Sequence, residues 1–394
     1  PTQEHHQGVY AYYFYRLISR AENVWMTYCS TADEKGAGEP SRYIRQLEYE
    51  SGLQITRVKV GVDVNLQQTE NIEIANNEQT MRQLSEYTDG NKTLSPTAIS
   101  TYVQCPMRFF YKYMAKIRVE DELEDGLDDK TFGDIFHRAA ELLYADAVGE
   151  ANPLALLERI DEKSIVKSVD VAIGEKCFND ANYDSSKLKG ELGIARQIVI
   201  RYLRDNLISY DKNHANFSIV ALEDVFDAPF EFKVDDVAKS VTLEGRADRV
   251  DSLDSGLYRI IDYKTGGCHL DFNGCQKLFH GKDAERIGNI INTIIYAMLT
   301  HRRRGVDVQP ALYYLRNMYN NDYSPLIRMK IKEEGQTRAT TINIERYSEI
   351  AEQFESCLSG VLAEMFDPKK PFSQANDPLA CTYCDYAAIC GKKA

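Results

Sequence analysis

The sequence has no long apolar run, no secretion signal and no phosphate-binding loop. Its most apolar stretch, Ile290 to Leu299, contains polar Asn292 and Thr293 and is shorter than the roughly 20 residues that a membrane-spanning helix needs. No secretory leader opens the chain, which begins at Pro1 and which we interpret as a fragment of a longer protein. The Gly-x-x-x-x-Gly-Lys-Ser/Thr pattern that holds nucleotide phosphates is missing. We therefore expect a cytoplasmic protein that makes no membrane contact and does not hydrolyse ATP by itself.

Basic side chains are also fewer than acidic ones. The 394 residues include 47 basic and 60 acidic side chains, so the formal net charge is −13. Any surface that binds phosphate groups must therefore be local. Part of the acidic excess lies between residues 120 and 129, which we interpret as a solvated loop. The composition, 43% hydrophobic and 27% charged, is typical of folded proteins, and at about 150 residues per domain the length corresponds to two or three domains.

The chain divides by composition into three segments. Residues 1–60 include an apolar and aromatic stretch from Val9 to Arg20, and we predict a buried strand at Val24 to Cys29 and a helix capped by Ser41. Residues 61–93 are polar, and we interpret them as a linker. Residues 94–394 combine helical and strand patterns and form the main predicted domain.

The main domain starts with a helix signal and later changes from helical to strand periodicity. Ser95 can cap a helix whose first residue, Pro96, has no N–H to satisfy. Further helices are predicted over residues 132–148 and onward to about residue 212. Beyond them we predict strands at 217–232, 241–250 and 257–264, a helix at 283–304, a strand at 311–315 and a helix at 347–366. This order predicts an α/β fold.

The two strands at 241–250 and 257–264 carry the strongest chemical signal. Alternate residues of a strand share a face, so Asp262 and Lys264 project together, and hairpin pairing would bring Asp248 close to Asp262. Carboxylates are the ligands that Mg²⁺ prefers, and a bound cation can activate water against a phosphodiester. A lysine beside it can offset the charge that develops on phosphate. The alternative is a surface hairpin with a simple Asp–Lys ion pair.

Residues 243–251 and 258–266, with Asp248 in the first and Asp262 and Lys264 in the second, resemble the defining motifs of the PD-(D/E)XK nuclease superfamily, in its RecB-like branch. The resemblance implies a restriction-endonuclease-like core sheet flanked by helices, with a helical insertion. It also implies catalytic roles for Asp248, Asp262 and Lys264. Residues 132–137 resemble the upstream histidine motif of the branch, so His137 is implied as a metal ligand beside the two aspartates. The implied metal is Mg²⁺ or Mn²⁺.

The same branch has a Gln-x-x-x-Tyr pattern on the helix after the lysine strand. The matching residues are Asn292 and Tyr296, so the resemblance implies that both contact DNA and that Tyr296 lies in the active site. Asparagine replaces glutamine and keeps the amide with a shorter reach, and Tyr296 could instead simply pack in its helix. Because DNA binding needs a local basic groove, we also expect contacts from Arg246 and Arg249, with residues 302–304 as weaker candidates.

Three of the nine cysteines form a Cys-x₂-Cys-x₅-Cys pattern at Cys381, Cys384 and Cys390. A tetrahedral site needs a fourth ligand, for which Cys105 is the candidate. Thiolates suit zinc or an iron–sulfur cluster, and the spacing does not choose between them; free thiols in the core are a third possibility. One cysteine before the nuclease core and three after it resemble the arrangement in AddB-type nuclease subunits and CRISPR-associated iron–sulfur nucleases. That resemblance implies a structural [4Fe–4S] cluster, with Zn²⁺ as the alternative.

The start of the chain also carries a resemblance. Residues 12–24 resemble the last motif of superfamily 1 helicases, with Ser19 in place of threonine and Arg20 at the position of an ATP-contacting arginine. Taken together, the segments resemble the C-terminal part of an AddB-like helicase–nuclease subunit, with a small helicase-like remnant. This implies a DNA exonuclease module for double-strand-break repair, with DNA and an AddA-like helicase–nuclease subunit as partners. The alternative is a catalytically inactive nuclease fold that binds DNA or supports assembly.

Overall fold

The computed structural model describes residues 3–28, 40–58, 72–118, 127–150, 152–185, 188–280, 284–320, 322–331, 339–375, 377–382 and 384–392. The chain forms two compact units, residues 1–68 and 69–394, which we treat separately. None of the described helices is long and apolar enough to cross a membrane.

The described part of the first unit contains α1 (Gln3–Ile18) and α2 (Arg42–Glu50). The Ser41 side chain accepts a hydrogen bond from the backbone N–H of Tyr43 at 3.4 Å, so the predicted cap is present. The rings of Phe14 and Tyr43 stack with their centroids 4.9 Å apart and hold the two helices together.

The predicted buried strand at Val24 to Cys29 is wrong over its described residues. Residues 24–28 form no strand, and Trp25 is 89% exposed. A strand needs a hydrogen-bonded neighbour, and the described residues of the first unit form no other strand that could pair with it. Cys29 lies outside the described residues.

The second unit is built on a five-stranded mixed sheet. The described strands are β1 (Glu73–Ile74), β2 (Thr93–Leu94), β3 (Phe217–Val234), β4 (Val237–Leu253), β5 (Tyr258–Lys264), β6 (Asp271–Phe272), β7 (Val308–Tyr314), β8 (Arg328–Ile331), β9 (Thr340–Asn343) and β10 (Phe372–Ser373). In the main sheet β2, β4, β5 and β7 follow one another, and β3 pairs with β4. The β3–β4 and β4–β5 pairs are antiparallel, whereas β2–β4 and β5–β7 are parallel. The predicted α/β fold is confirmed.

Helices flank this sheet. Those of the second unit are α3 (Glu78–Thr88), α4 (Pro96–Gln104), α5 (Pro106–Phe109), α6 (Asp129–Tyr144), α7 (Pro153–Arg159), α8 (Glu162–Phe178), α9 (Gly190–Arg201), α10 (Ser209–Asn213), α11 (Gly274–His280), α12 (Ala284–Arg304) and α13 (Ala351–Met365). The Ser95 side chain accepts from the N–H of Ala98 at 3.2 Å and caps α4 as predicted. Helix α12 provides the crossover that parallel pairing of β5 and β7 requires. Residues 72–93, within the predicted linker, contribute β1, α3 and β2 to this unit.

Apolar side chains cover both faces of the sheet. Ile260 and Leu312 belong to one core, which also contains residues of α4, α12 and α13. Their strand neighbours Ile261 and Tyr313 belong to a second core with residues of α6, α8 and α9. This alternation is expected of central strands that are buried on both faces. It leaves the ends of the strands as the place where polar side chains can gather.

The two ends of the second unit are joined to each other. β1 pairs antiparallel with β10, so that Ile74 lies opposite Phe372. The side-chain amide nitrogen of Asn76 donates to the carbonyl oxygens of Asp367 and Lys370 at 3.0 and 2.8 Å. The segment that carries the last cysteines therefore starts from a fixed point on the second unit.

Candidate active site

The β4–β5 hairpin sets the first aspartate of the site. Arg249 lies opposite Ile261 in the antiparallel register, which places Asp248 beside the end of β5 that carries Asp262. The backbone N–H of Tyr263 donates to Asp248 Oδ2 at 2.6 Å. A hydrogen bond from the backbone fixes the direction of the Asp248 carboxylate better than a contact with a flexible side chain would.

Asp262 and Lys264 share a face of β5, as the strand spacing predicts. Lys264 Nζ lies 2.7 Å from Asp262 Oδ2, and the two side chains are only 27% and 8% exposed. Burial raises the pKa of Asp262, the Lys264 charge opposes that rise, and the Asp248 charge adds to it. Burial alone would lower the pKa of Lys264, but Asp262 and Asp248 outweigh it and leave the pKa above its usual value. Lys264 is therefore an ammonium ion at neutral pH.

His137 reaches the same place from helix α6. Its Nδ1 lies 3.2 Å from Asp248 Oδ1, and its ring lies against Tyr263 with a centroid distance of 5.9 Å. Burial alone would lower the pKa of His137. The charge and hydrogen bond of Asp248, together with the charge of Asp262, outweigh burial and leave the pKa above its usual value. The structure thus brings His137 to the hairpin although more than a hundred positions separate them in sequence.

Glu223 on β3 is a site residue that our sequence analysis missed. One oxygen of Glu223, one of Asp248 and a ring nitrogen of His137 all lie within 4.8 Å of one another. Glu223 has a φ of +48°, in the left-handed region that non-glycine residues seldom adopt and that often marks functional positions. Burial, followed by the charge of Asp248, raises the pKa of Glu223. The available signal was an acidic residue inside a predicted strand beside the one that carries Asp248.

These donors fit a divalent cation of the Mg²⁺ or Mn²⁺ type. Such cations prefer carboxylate oxygens, and Mn²⁺ also accepts imidazole nitrogen. Oδ2 of Asp262 is buried and accepts no well-directed hydrogen bond from the described residues, despite the nearby Lys264 ammonium. Three carboxylates, those of Glu223, Asp248 and Asp262, also gather near the Lys264 ammonium, and a bound cation would further reduce their mutual repulsion. His137, Glu223 and Asp248, with Asp262 next to them, are the residues that would hold the ion.

Tyr296 of α12 lies beside the hairpin. Burial, followed by the charges of Asp262 and Asp248, raises the pKa of its hydroxyl. The side chain therefore stays uncharged beside the two carboxylates. A Cβ at Gly245 would lie 2.7 Å from Tyr296 Cδ1, which means that the ring packs directly on the glycine backbone. This close approach is the structural reason for a glycine in the segment that leads to Asp248.

Asn292 lies at the contact between α12 and α4. With its amide nitrogen facing the two nearest carbonyl groups, the side chain donates to Pro96 O at 3.1 Å and to Gly288 O at 3.2 Å. The shorter amide therefore serves as a link between two helices. Its contact with DNA stays a prediction.

Of the two arginines expected to contact DNA, the structure contradicts one. Arg246 is 65% exposed and lies 3.6 Å from Glu223, at the edge of the site. Arg249 is 0% exposed and forms ion pairs with Asp211 and Asp251 at 2.6 Å each, so it cannot contact DNA. Residue 249 lies on the face of the sheet that α6, α8 and α9 cover, where its guanidinium group contacts Tyr144 and Phe217.

The arginine run at the end of α12 is held by β3 and α13. Arg302 donates to Pro229 O at 3.0 Å and to Glu355 Oε2 at 2.6 Å. Arg303 donates to Val225 O at 2.9 Å, and Arg304 donates to Asp224 Oδ2 at 2.9 Å. These bonds give the run a role in packing the helix end against the sheet.

Three of the four predicted cysteines, Cys105, Cys384 and Cys390, belong to one small cluster with Tyr111 and Tyr386. Burial raises the pKa of Cys381, and the charges of these three cysteines raise it further. Burial, followed by Cys390, also raises the pKa of Tyr111 to about 12. Among the described residues, no three of the cysteine sulfurs all lie within 4.8 Å of one another.

A sheet-end group of carboxylates, a lysine and a histidine defines a class of metal-dependent phosphodiester-cleaving proteins. Comparison with family models agrees: residues 93–391 match the PD-(D/E)XK nuclease superfamily. The chain belongs to this superfamily.

Two curated relatives carry the name of an ATP-dependent helicase/deoxyribonuclease, of which they are the B-type subunits. The protein from Carboxydothermus hydrogenoformans is 26% identical over 194 residues, which are 46% of this chain and 17% of that one. The protein from Lysinibacillus sphaericus is 26% identical over 203 residues, which are 46% of this chain and 16% of that one. The chain thus spans about a sixth of the length of these relatives. A solved structure titled Crystal structure of SSO0001 matches over 80% of this chain and 96% of its own, with 14% identity and a TM-score of 0.26.

Proposed function

We propose that the chain is the nuclease module of an AddB-like protein and hydrolyses phosphodiester bonds of DNA as a metal-dependent exonuclease in double-strand-break repair. The observation that carries the proposal is the meeting of His137, Glu223 and Asp248 within 4.8 Å, beside the Asp262–Lys264 pair. Membership of the nuclease superfamily and the names of the two relatives support it.

Each side chain has a definite task in this chemistry. A Mg²⁺ or Mn²⁺ ion held by His137, Glu223 and Asp248 would lower the pKa of a water molecule and offset charge on the phosphate. The N–H of Tyr263 keeps the Asp248 carboxylate aimed at the cation site. Lys264 acts as a cation, because its raised pKa keeps it protonated; it orients the attacking water and offsets phosphate charge rather than accepting a proton. The Tyr296 ring packs against Gly245 and Phe226 and forms an apolar wall beside the carboxylates.

We also propose that Cys105, Cys381, Cys384 and Cys390 hold a structural [4Fe–4S] cluster. Four thiolates suit either iron–sulfur or zinc. What favours the cluster over zinc is the order of the cysteines, one before the nuclease core and three near its end, which resembles the arrangement in AddB-type and CRISPR-associated iron–sulfur nucleases.

The surroundings of the module follow from the same proposal. DNA would reach the site past exposed Arg246, and an AddA-like helicase–nuclease subunit would be the partner. A reducing cytoplasm is the compartment in which clustered thiols serve as metal ligands. A catalytically inactive DNA-binding module is the competing function, and the presence of Asp248, Asp262, Lys264 and His137 together favours the enzyme.

A cleavage assay with matched variants tests the proposal. DNA labelled at the 5′ or the 3′ end, single- or double-stranded, is incubated with Mg²⁺, Mn²⁺ or chelator, and circular DNA is included to detect internal cleavage. Asp262→Asn should lower the cleavage rate by more than about 100-fold, because loss of a mere outer partner of a metal site already costs 10–100-fold. Asp254→Asn, at the exposed turn of the same hairpin, should leave the rate unchanged.

The outcomes separate the two functions. An exonuclease is supported if the wild-type protein degrades linear DNA only with metal and the Asp262→Asn protein does not degrade it. Cleavage of circular DNA would replace the exonuclease assignment by an endonuclease. DNA binding without cleavage under any metal would favour the inactive module.

A further inference from the structure

A chain of buried polar groups lies behind the candidate site and has no role in the chemistry above. The Tyr144 hydroxyl donates to Asp211 Oδ2 at 2.7 Å, and Arg249 Nη1 donates to the same oxygen at 2.6 Å. Arg249 also donates through Nε and Nη2 to the two oxygens of Asp251, at 2.6 and 3.0 Å. Arg259 Nη2 donates to Asp251 Oδ2 at 2.6 Å. We call these five side chains the buried network.

The buried network is almost free of solvent and is balanced in charge. Arg249, Asp211 and Asp251 are 0% exposed and Arg259 is 8% exposed. Two arginines face two aspartates, so no charge is left over. The Phe217 and Tyr144 rings lie 4.5 and 5.1 Å from the Arg249 guanidinium carbon and cover it.

Stability alone does not account for this arrangement. Removing charges from water is expensive, and apolar side chains of similar volume often stabilise a core as well as a buried ion network does. The surrounding layer is already apolar, with Phe136, Ile261 and Tyr313 as members. What charged hydrogen bonds add to apolar packing is direction, because each donor must point at its acceptor.

The buried network joins the two elements whose relative placement decides the metal site. Helix α6 carries both His137 and Tyr144, which are about two turns apart and therefore on one side of the helix. Arg249 directly follows Asp248 on β4. Asp211, on α10, links the two through a single carboxylate oxygen.

We propose that Tyr144, Asp211 and Arg249 are positioning residues that hold α6 against β4, so that His137 and Asp248 face one cation. This inference rests on the proposed function, because it concerns the same metal site. None of the three side chains belongs to the group of His137, Glu223 and Asp248 that would hold the cation. They act through the backbone of the helix and of the strand.

The test compares two buried tyrosines, of which one, Tyr144, donates a hydrogen bond through its hydroxyl and the other, Tyr313, donates none to the described residues. Tyr144→Phe removes a hydroxyl that links the helix to the network, whereas Tyr313→Phe removes a buried hydroxyl that makes no hydrogen bond to any described residue. The readouts are Mn²⁺ affinity by electron paramagnetic resonance, the melting temperature, and hydrogen exchange at the Tyr263 amide in metal-free protein. Tyr144→Phe should weaken Mn²⁺ binding about 10-fold and speed exchange at the Tyr263 amide. Tyr313→Phe should change neither.

Asp211→Asn provides a second variant, because it keeps the size of the side chain and removes the charge that faces Arg249. It should give the same two changes. A lower melting temperature in Tyr144→Phe with Mn²⁺ affinity and Tyr263 exchange like wild type would show a merely structural role and overturn the inference. Failure of the wild-type protein to bind Mn²⁺ would contradict the proposed function instead. Hydrogen exchange in the metal-free protein would still decide the positioning role.

Discussion

Replacement of Gly245 by alanine tests the packing of the candidate site most directly. The added Cβ would lie 2.7 Å from Tyr296 Cδ1 and 3.1 Å from Phe226 Cε2, whereas ordinary contacts begin at 3.4 Å. The tyrosine ring must therefore move by about 0.7 Å. It cannot move freely, because its helix neighbours Ile295 and Ala297 are completely buried.

The expected size of the effect follows from this clash. Overpacking of a well-filled core lowers the free energy of unfolding by about 1–3 kcal/mol, and we expect Gly245→Ala to fall in that range. Since Tyr296 lies beside Asp262 and Asp248, the displaced ring should also disturb the site. A misplacement on the order of 1 Å can lower a rate about 100-fold, so we expect a loss of cleavage of about 10- to 100-fold.

Thermal melting followed by circular dichroism, together with the DNA cleavage assay, measures both effects. Gly360→Ala on α13 is the control, because nothing lies within 4 Å of its added Cβ and the substitution should stabilise the helix by about 1 kcal/mol. Tyr296→Leu should partly rescue the stability of Gly245→Ala by removing the ring, whereas Tyr296→Phe should not. A Gly245→Ala protein as stable and active as wild type would refute the packing argument.

Two further predictions concern protons and iron. Burial raises the pKa of both Glu223 and Asp262. Because a cation binds the ionised carboxylates, Mn²⁺ binding should release protons, and its affinity should rise with pH. Calorimetry in buffers of different ionisation enthalpy measures the release, and a binding heat independent of buffer would contradict it. Cys384→Ser should lose the brown colour of an iron–sulfur cluster and melt at a lower temperature, while its Mn²⁺ affinity stays like wild type. Anaerobically purified wild-type protein that contains zinc and no iron would argue for the alternative metal.

Local rules predicted the parts of the molecule that local chemistry controls. Ser95 caps α4 because its side chain can accept from Ala98, and both groups are neighbours in sequence. Strand alternation placed Asp262 and Lys264 on one face in the same way. His137 came only from resemblance to a family, because nothing in its own helix indicates that it faces Asp248.

Other features depend on tertiary structure and were missed or wrong. Glu223 has a left-handed backbone and lies on β3, four positions after Ile219, where the β3–β4 register shifts; no residue type in that strand signals either feature. Arg249 was expected at the DNA because it follows Asp248 directly and DNA binding needs local basic charge, whereas its burial depends on a bond to Asp211, which lies 38 positions away. Val24 to Cys29 had the composition of a strand but no partner strand among the described residues.

The joined ends of the second unit also bear on how it folds. The bonds from Asn76 to Asp367 and Lys370 span 291 and 294 positions. A chain growing on the ribosome cannot form them until those late residues have emerged, whereas the β4–β5 hairpin needs only its own neighbours. Contacts of such large sequence separation form slowly, since the loop between them must first be closed. The β4–β5 hairpin should therefore form early, and docking of the cysteine-bearing tail should be the last and slowest phase of refolding.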